Sequence, residues 1–132
     1  MIKLLLFWSK FLENKPMKKV YYLKTCSTCI RILKELNLSS DFVLQDIKTE
    51  AITVKQLEEM HARSGSYEAL FSKKSTQIKE RNIEVKSLQE EDFKKLILED
   101  YRFLKRPVFI INQEIFIGSD KKNIEELKSS LK

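Results

Sequence analysis

Cys26 and Cys29 are the only two cysteines in this 132-residue chain, and they stand as Cys26-Ser27-Thr28-Cys29. A thiol attacks as its thiolate, so the useful question is what would hold one of these sulfurs as an anion. The residues before the pair, Val20-Tyr21-Tyr22-Leu23, read as a short apolar strand, and those after it as an amphipathic helix with Ile30, Leu33 and Leu36 on one stripe. Cys26 then falls at the cap or first turn of the helix, where unpaired backbone N–H groups point at its sulfur. That setting lowers a thiol pKa from its free value of about 8.5. Lys24, Arg31 and Lys34 flank the pair with no carboxylate between Lys24 and Lys34, so the local charge also favours the anion. Cys29, one helical turn on, is spaced to attack a mixed disulfide formed at Cys26.

Two plainer readings compete. A Cys-x-x-Cys can be half of a zinc site, but zinc usually takes four protein ligands, and the only histidine is His61. A metal would need ligands from a second chain, and none is expected. Both cysteines could instead be small core residues. The strand-turn-helix placement favours thiol chemistry over either. His61 falls late in its own helix and reads as a surface or half-buried residue rather than a ligand or a base.

The elements that must position this pair follow in order. Residues 19–23 make a first strand and 27–37 a first helix ending near Asn37, and Phe42-Val43-Leu44-Gln45-Asp46-Ile47 gives a second strand. Thr53 caps a helix through Leu57, Met60 and Ala62, stopped by Ser64-Gly65-Ser66. A helical turn at 67–71 carries Leu70 and Phe71 inward, 72–76 is a polar basic loop, and 77–81 is a further helical piece. Ser87 is expected to cap the next helix, whose buried stripe is Phe93, Leu96 and Ile97. The apolar runs at 108–112 and 114–118, with Asn112-Gln113 between them, predict an antiparallel hairpin. Ser119 or Asp120 starts a last helix with Ile124, Leu127 and Leu131 facing in. A βαβ unit and a ββα unit can join in one four-stranded mixed sheet with helices on both faces and a helical insert between the halves. The expected class is therefore α/β, thioredoxin-like.

Composition sets the bounds. The length suits one domain with one sizeable core. Residues 1–16 (MIKLLLFWSKFLENKP) are expected to be an extension outside a single domain at 17–132. Their apolar run is too short for a membrane span and lacks a small-residue cleavage site, though a short amphipathic helix is an alternative. The formal net charge of +6, mostly from lysine, suits an acidic partner or an anionic substrate, and a solvated lysine-rich surface gives the same number. No stripe of aromatic and arginine residues predicts direct nucleic-acid readout. Two closely spaced cysteines with thiol chemistry fit a reducing, cytoplasmic setting.

Over residues 18–131 the chain resembles the arsenate reductase (ArsC)/Spx family of thioredoxin-fold proteins. The resemblance is carried by Tyr22-Leu23-Lys24-Thr25-Cys26-Ser27-Thr28-Cys29, by Leu104-Lys105-Arg106-Pro107-Val108-Phe109-Ile110-Ile111, and by the loop Leu70-Phe71-Ser72-Lys73-Lys74-Ser75-Thr76-Gln77-Ile78-Lys79-Glu80. It implies that Cys26 is the nucleophile and that the Arg106–Pro107 bond is cis, with Arg106 beside the cysteine. A guanidinium there could grip an oxyanion by two parallel hydrogen bonds and favour the thiolate. Lys73 and Lys74 stand where many relatives carry an arginine, and Phe116-Ile117-Gly118-Ser119 also lacks one. The Cys-x-x-Cys is nearer the Spx pattern.

The expected activity is that of a thiol-dependent reductase with Cys26, Cys29 and Arg106 as catalytic residues. Lys73, Lys74, Thr25, Ser27, Thr28 and Pro107 are the expected substrate-binding set. Cys26 would attack an oxyanion such as arsenate, or a disulfide or glutathione adduct, and Cys29 would close the disulfide that releases product. No bound cofactor is expected; thioredoxin, glutaredoxin or glutathione would supply electrons. The alternative is an Spx-like regulator that binds RNA polymerase and uses the disulfide as a switch.

Overall fold

In the computed structural model, which describes residues 17–132, the apolar run after Met17 forms β1 (Lys18–Tyr22). It is followed by α1 (Ser27–Leu36), β2 (Val43–Asp46) and α2 (Val54–Ser64). The second half contains α3 (Thr76–Glu80), α4 (Glu90–Glu99), the hairpin β3 (Val108–Ile111) and β4 (Glu114–Ile117), and α5 (Lys121–Leu131). Short 3-10 turns at Glu68–Leu70, Val85–Ser87 and Tyr101–Phe103 link the helices of the insert. The expectations for residues 1–16 lie outside the described residues.

The strands form one sheet in the order β2-β1-β3-β4, with β1 parallel to β2 and antiparallel to β3, and β3 antiparallel to β4. This is the thioredoxin-like mixed sheet expected from the sequence. Strand alternation divides its faces. Val20, Phe109 and Phe116 pack with Ile32, Ile124 and Leu127 of α1 and α5. Tyr21, Val108 and Ile110 face the other way, into the insert core with Leu57, Phe71 and Phe103.

Local chemistry explains the boundaries. Thr53 and Gln56 form a capping box at the start of α2, and Gly65 closes that helix at φ 78°. Asn37 ends α1 and Asn112 turns the hairpin, both at positive φ, which asparagine tolerates better than most residues.

Three details differ from the sequence reading. The buried positions of α1 are Cys29 and Ile32; Leu33 and Leu36 are half-buried, and Ile30 lies to the side of the stripe. Gln89, not Ser87, caps α4, in a box with Asp92. The Ser87 hydroxyl is spent on the Glu84 carbonyl, 2.8 Å away. Within the apolar run of β2, Val43 and Leu44 are exposed because the strand is at the sheet edge, and Gln45 is the buried residue. The Gln45 and Gln56 side chains exchange amide hydrogen bonds of 2.9 and 3.2 Å, which satisfies the buried polar group.

Candidate active site

β1 delivers the chain to the edge of the site. The Cys26 N–H donates to the Leu23 carbonyl at 3.0 Å, closing the turn, and Cys26 is the N-cap residue of α1 with extended backbone. Its side chain makes no capping bond of the usual kind, so the sulfur meets the free N–H groups of the first turn. Cys26 is half-buried and Cys29 is fully buried in the insert core.

The two thiols are pushed in opposite directions. Burial alone would raise the Cys26 pKa, but the Cys29 backbone N–H, the Cys29 thiol, the Thr28 backbone N–H and the Arg106 charge outweigh it, and the net shift is downward. Burial dominates at Cys29 and, against a backbone hydrogen bond with Leu23, pushes it up to about 11, helped by the neighbouring Cys26. The arrangement therefore has one half-buried sulfur shifted toward the thiolate and one buried sulfur beneath it held toward the thiol, donating to the first.

The cation that acts on Cys26 is Arg106, rather than the Lys24, Arg31 and Lys34 that the sequence suggested. Those three lie around a separate depression on the outer side of α1, and Arg31 is paired with Glu35 at 3.0 Å. The Arg106–Pro107 peptide is cis, as the resemblance implied. One guanidinium nitrogen of Arg106 donates to the Leu104 carbonyl at 3.0 Å, and Nε is buried without a hydrogen-bond partner among the described residues.

Cys26 opens into a cleft of about 890 Å³, lined among others by Thr28, Lys73, Lys74, Lys105 and Arg106. The insert loop reaches it because Phe71 and Leu104 form a β-bridge, which is clamped by Ser72 N–H to the Phe103 carbonyl (2.7 Å) and Lys105 N–H to the Leu70 carbonyl (2.8 Å). Phe71 and Phe103 stack beneath that bridge with ring centroids 5.4 Å apart. The cations are not equivalent. Lys73 is held by Glu68 at 2.8 Å and Arg102 by Asp100 at 2.8 Å, whereas Lys74, Lys105 and Arg106 form no ion pair among the described residues.

Of the residues singled out from sequence, the structure thus brings together Cys26, Thr28, Lys73, Lys74 and Arg106, with Cys29 beneath them. It does not bring Thr25 and Ser27 to the cleft; they line the outer depression. Pro107 is buried and does not line the cleft. The sequence reading missed Lys105 as a cleft residue, although it stands beside Arg106. Asp120, offered there as a start of the last helix, does cap α5 by accepting the Asn123 N–H, and its place at the cleft rim was not foreseen.

His61 stacks on Tyr67, with centroids 4.1 Å apart, and lies 3.9 Å from Glu90. Among the described residues, no three His, Cys, Asp or Glu side chains converge where they could hold a metal ion. No described helix is long and apolar enough to cross a membrane.

The ArsC family model matches residues 21–127. An arsenate reductase from Vibrio cholerae superposes with a TM-score of 0.68 at 19% identity, covering 83% of this chain and 98% of that one. An arsenate reductase (ArsC) related protein from Brucella melitensis gives 0.63 at 20% identity, covering 83% and 92%. At these identities the likeness is one of fold. None of the curated proteins matches the chain.

Proposed function

The chain belongs to the ArsC family, and we propose that it is a thiol-dependent oxidoreductase in which Cys26 is the nucleophile and Cys29 the resolving thiol. The observation that carries this reading is the asymmetric pair: a lowered Cys26 opening into a basic cleft above a raised, buried Cys29. With a disulfide or glutathione adduct, the Cys26 thiolate attacks one sulfur, a mixed disulfide forms, and the other half leaves as a thiolate that takes up a proton. Cys29 then loses its proton and attacks Cys26 Sγ. The Cys26–Cys29 disulfide closes, and the second half leaves as its thiol. The substrate gains two electrons and the cysteine pair loses two. Thioredoxin, glutaredoxin or glutathione restores the dithiol.

The cleft favours an anionic thiol of peptide size. Its volume falls in the range of pockets that enclose molecules far larger than a tetrahedral oxyanion, about 300–1,000 Å³. Lys74 and Lys105 present point charges suited to separate carboxylates, while Arg106 brings to the cleft a planar guanidinium with no ion pair among the described residues. That guanidinium is also what supports arsenate as a second substrate. The switch reading, with RNA polymerase as partner, draws on the Cys-x-x-Cys together with Lys73 and Lys74 and the arginine-free segment 116–119.

The test is turnover of reduced protein with a glutathione mixed disulfide and with arsenate, each donor supplied in turn and NADPH use followed. Reduction of the mixed disulfide is expected, and Cys26→Ser should lower it by at least about a thousandfold. Undiminished reduction by Cys26→Ser would remove the nucleophile assignment.

A further inference from the structure

Cys26 is flanked by basic surface on two sides, and we propose that the two sides divide the cycle: the cleft takes the substrate, while the outer face of α1 docks an acidic dithiol carrier protein that reduces the Cys26–Cys29 disulfide. The inference rests on the reading of the two cysteines as a working dithiol.

The outer face is a depression of about 530 Å³ bordered by Lys24, Thr25, Ser27, Arg31 and Lys34, with Ile30 as its one apolar side chain. Ser27, Ile30, Arg31 and Lys34 follow the helical spacing that lines one side of α1. The one carboxylate there, Glu35, is already shared between Arg31 at 3.0 Å and Lys128 at 3.8 Å. Lys24 and Lys34 are exposed and have no ion-pair partner among the described residues. Thr25 and Ser27, the chain neighbours of Cys26 on either side, line this face, so acidic side chains placed over it would bring a carrier's own cysteine close to the half-buried sulfur. The net charge of +6 steers an acidic protein in the same direction.

The chemistry fixes the point of attack. Cys29 is 0% exposed, so an incoming thiolate reaches only Cys26. The carrier thiolate bonds to Cys26 Sγ, the bond to Cys29 breaks, and Cys29 leaves as a thiolate that takes a proton from water. The carrier's second thiolate then attacks the carrier sulfur of that mixed disulfide and releases Cys26 as a thiolate. The carrier is oxidised to its disulfide by two electrons, and the Cys26–Cys29 pair is reduced by two.

The experiment uses the full chain, oxidised until thiol titration records the loss of both free thiols. Its reduction is then followed with an acidic-surfaced thioredoxin and, separately, with dithiothreitol. The Lys24→Glu/Lys34→Glu protein should be reduced about tenfold more slowly by thioredoxin at low salt, with the gap closing as salt rises. Dithiothreitol should reduce it at the wild-type rate, which also reports an intact fold. Lys55→Glu/Lys86→Glu, of the same net charge, should lose only the smaller part of the thioredoxin rate that net charge steers and should match wild type with dithiothreitol. A thioredoxin rate unchanged in the Lys24/Lys34 variant, an equal loss in the Lys55/Lys86 variant, or a wild type reduced no faster by thioredoxin than by dithiothreitol would overturn the docking face. Failure to lose both thiols on oxidation would instead bring down the dithiol reading, and this inference with it.

Discussion

At the scale of single residues, the site works by contrast between two sulfurs one helical turn apart. The same helix start that lowers Cys26 leaves Cys29 pointing into the core, where burial outweighs every hydrogen bond offered to it. The pH consequence can be worked out. A thiol raised in the fold has its stabilising contribution in full below its unfolded value, and that contribution is lost as pH rises through the folded value. For Cys29 the window runs from about 9 to about 11. Thermal melts of the reduced protein should therefore fall more steeply between pH 8 and pH 10.5 in wild type than in Cys29→Ala, once the variant's own offset at pH 8 is subtracted. Parallel slopes would mean that Cys29 is not held protonated. Arg106 supplies the charge, and Arg106→Ala should lower turnover by about a hundredfold, as losing one anion-stabilising donor group does elsewhere. Arg106→Lys should recover part of that loss, measured as kcat/KM.

At the scale of elements, each functional residue sits at an element's end, so the caps matter. Thr53 accepts the Gln56 N–H at 3.1 Å and Gln56 returns the bond to the Thr53 N–H at 3.1 Å, starting the helix that carries Leu57 and Met60 into the core. Thr53→Ala should cost about 1 kcal/mol, read as a lower urea midpoint with unchanged slope. Much at this scale was legible in the sequence. Alternating and helical apolar periods gave β1, α1, the hairpin and α5 within a residue or two, because each is a local pattern. Ser87 misled because serine is a preferred cap and an acidic run follows it. The competing claim on its hydroxyl by the Glu84 carbonyl lies in a turn with no such pattern. Glu90, in the acidic first turn of α4, accepts the Tyr67 N–H at 2.7 Å and the Glu68 N–H at 3.0 Å. That long-range cap for the 3-10 turn has no signature in either stretch alone.

At the scale of the whole molecule, the sheet separates two cores, and the site lies where the insert core meets the ends of the central strands β1 and β3. The clamp between Phe71 and Leu104, with Phe103 stacked below, sets the insert loop against the segment before β3 that bears Arg106. Phe103 is fully buried, and Phe103→Ala should destabilise the fold by about 3–5 kcal/mol in chemical denaturation. The clamp also explains what the sequence could and could not say about the site. Cys26 and Arg106 were legible because their neighbours carry the motifs. Lys105 was not, because its place in the cleft depends on a bridge to residues far along the chain. Thr25 and Ser27 were assigned to the cleft from nearness to Cys26, whereas the turn into α1 directs them to its outer side and leaves Thr28 in the cleft.

The proposed chemistry requires Cys26 to be a thiolate near neutral pH while Cys29 is not. Alkylation of the reduced protein by iodoacetamide across pH, with the modified cysteine located by mass spectrometry, tests this directly. Reaction is expected at Cys26 alone, with a midpoint below the free-thiol value of about 8.5 that rises in Arg106→Ala. A Cys26 midpoint at or above that value, or equal labelling of Cys29, would contradict it.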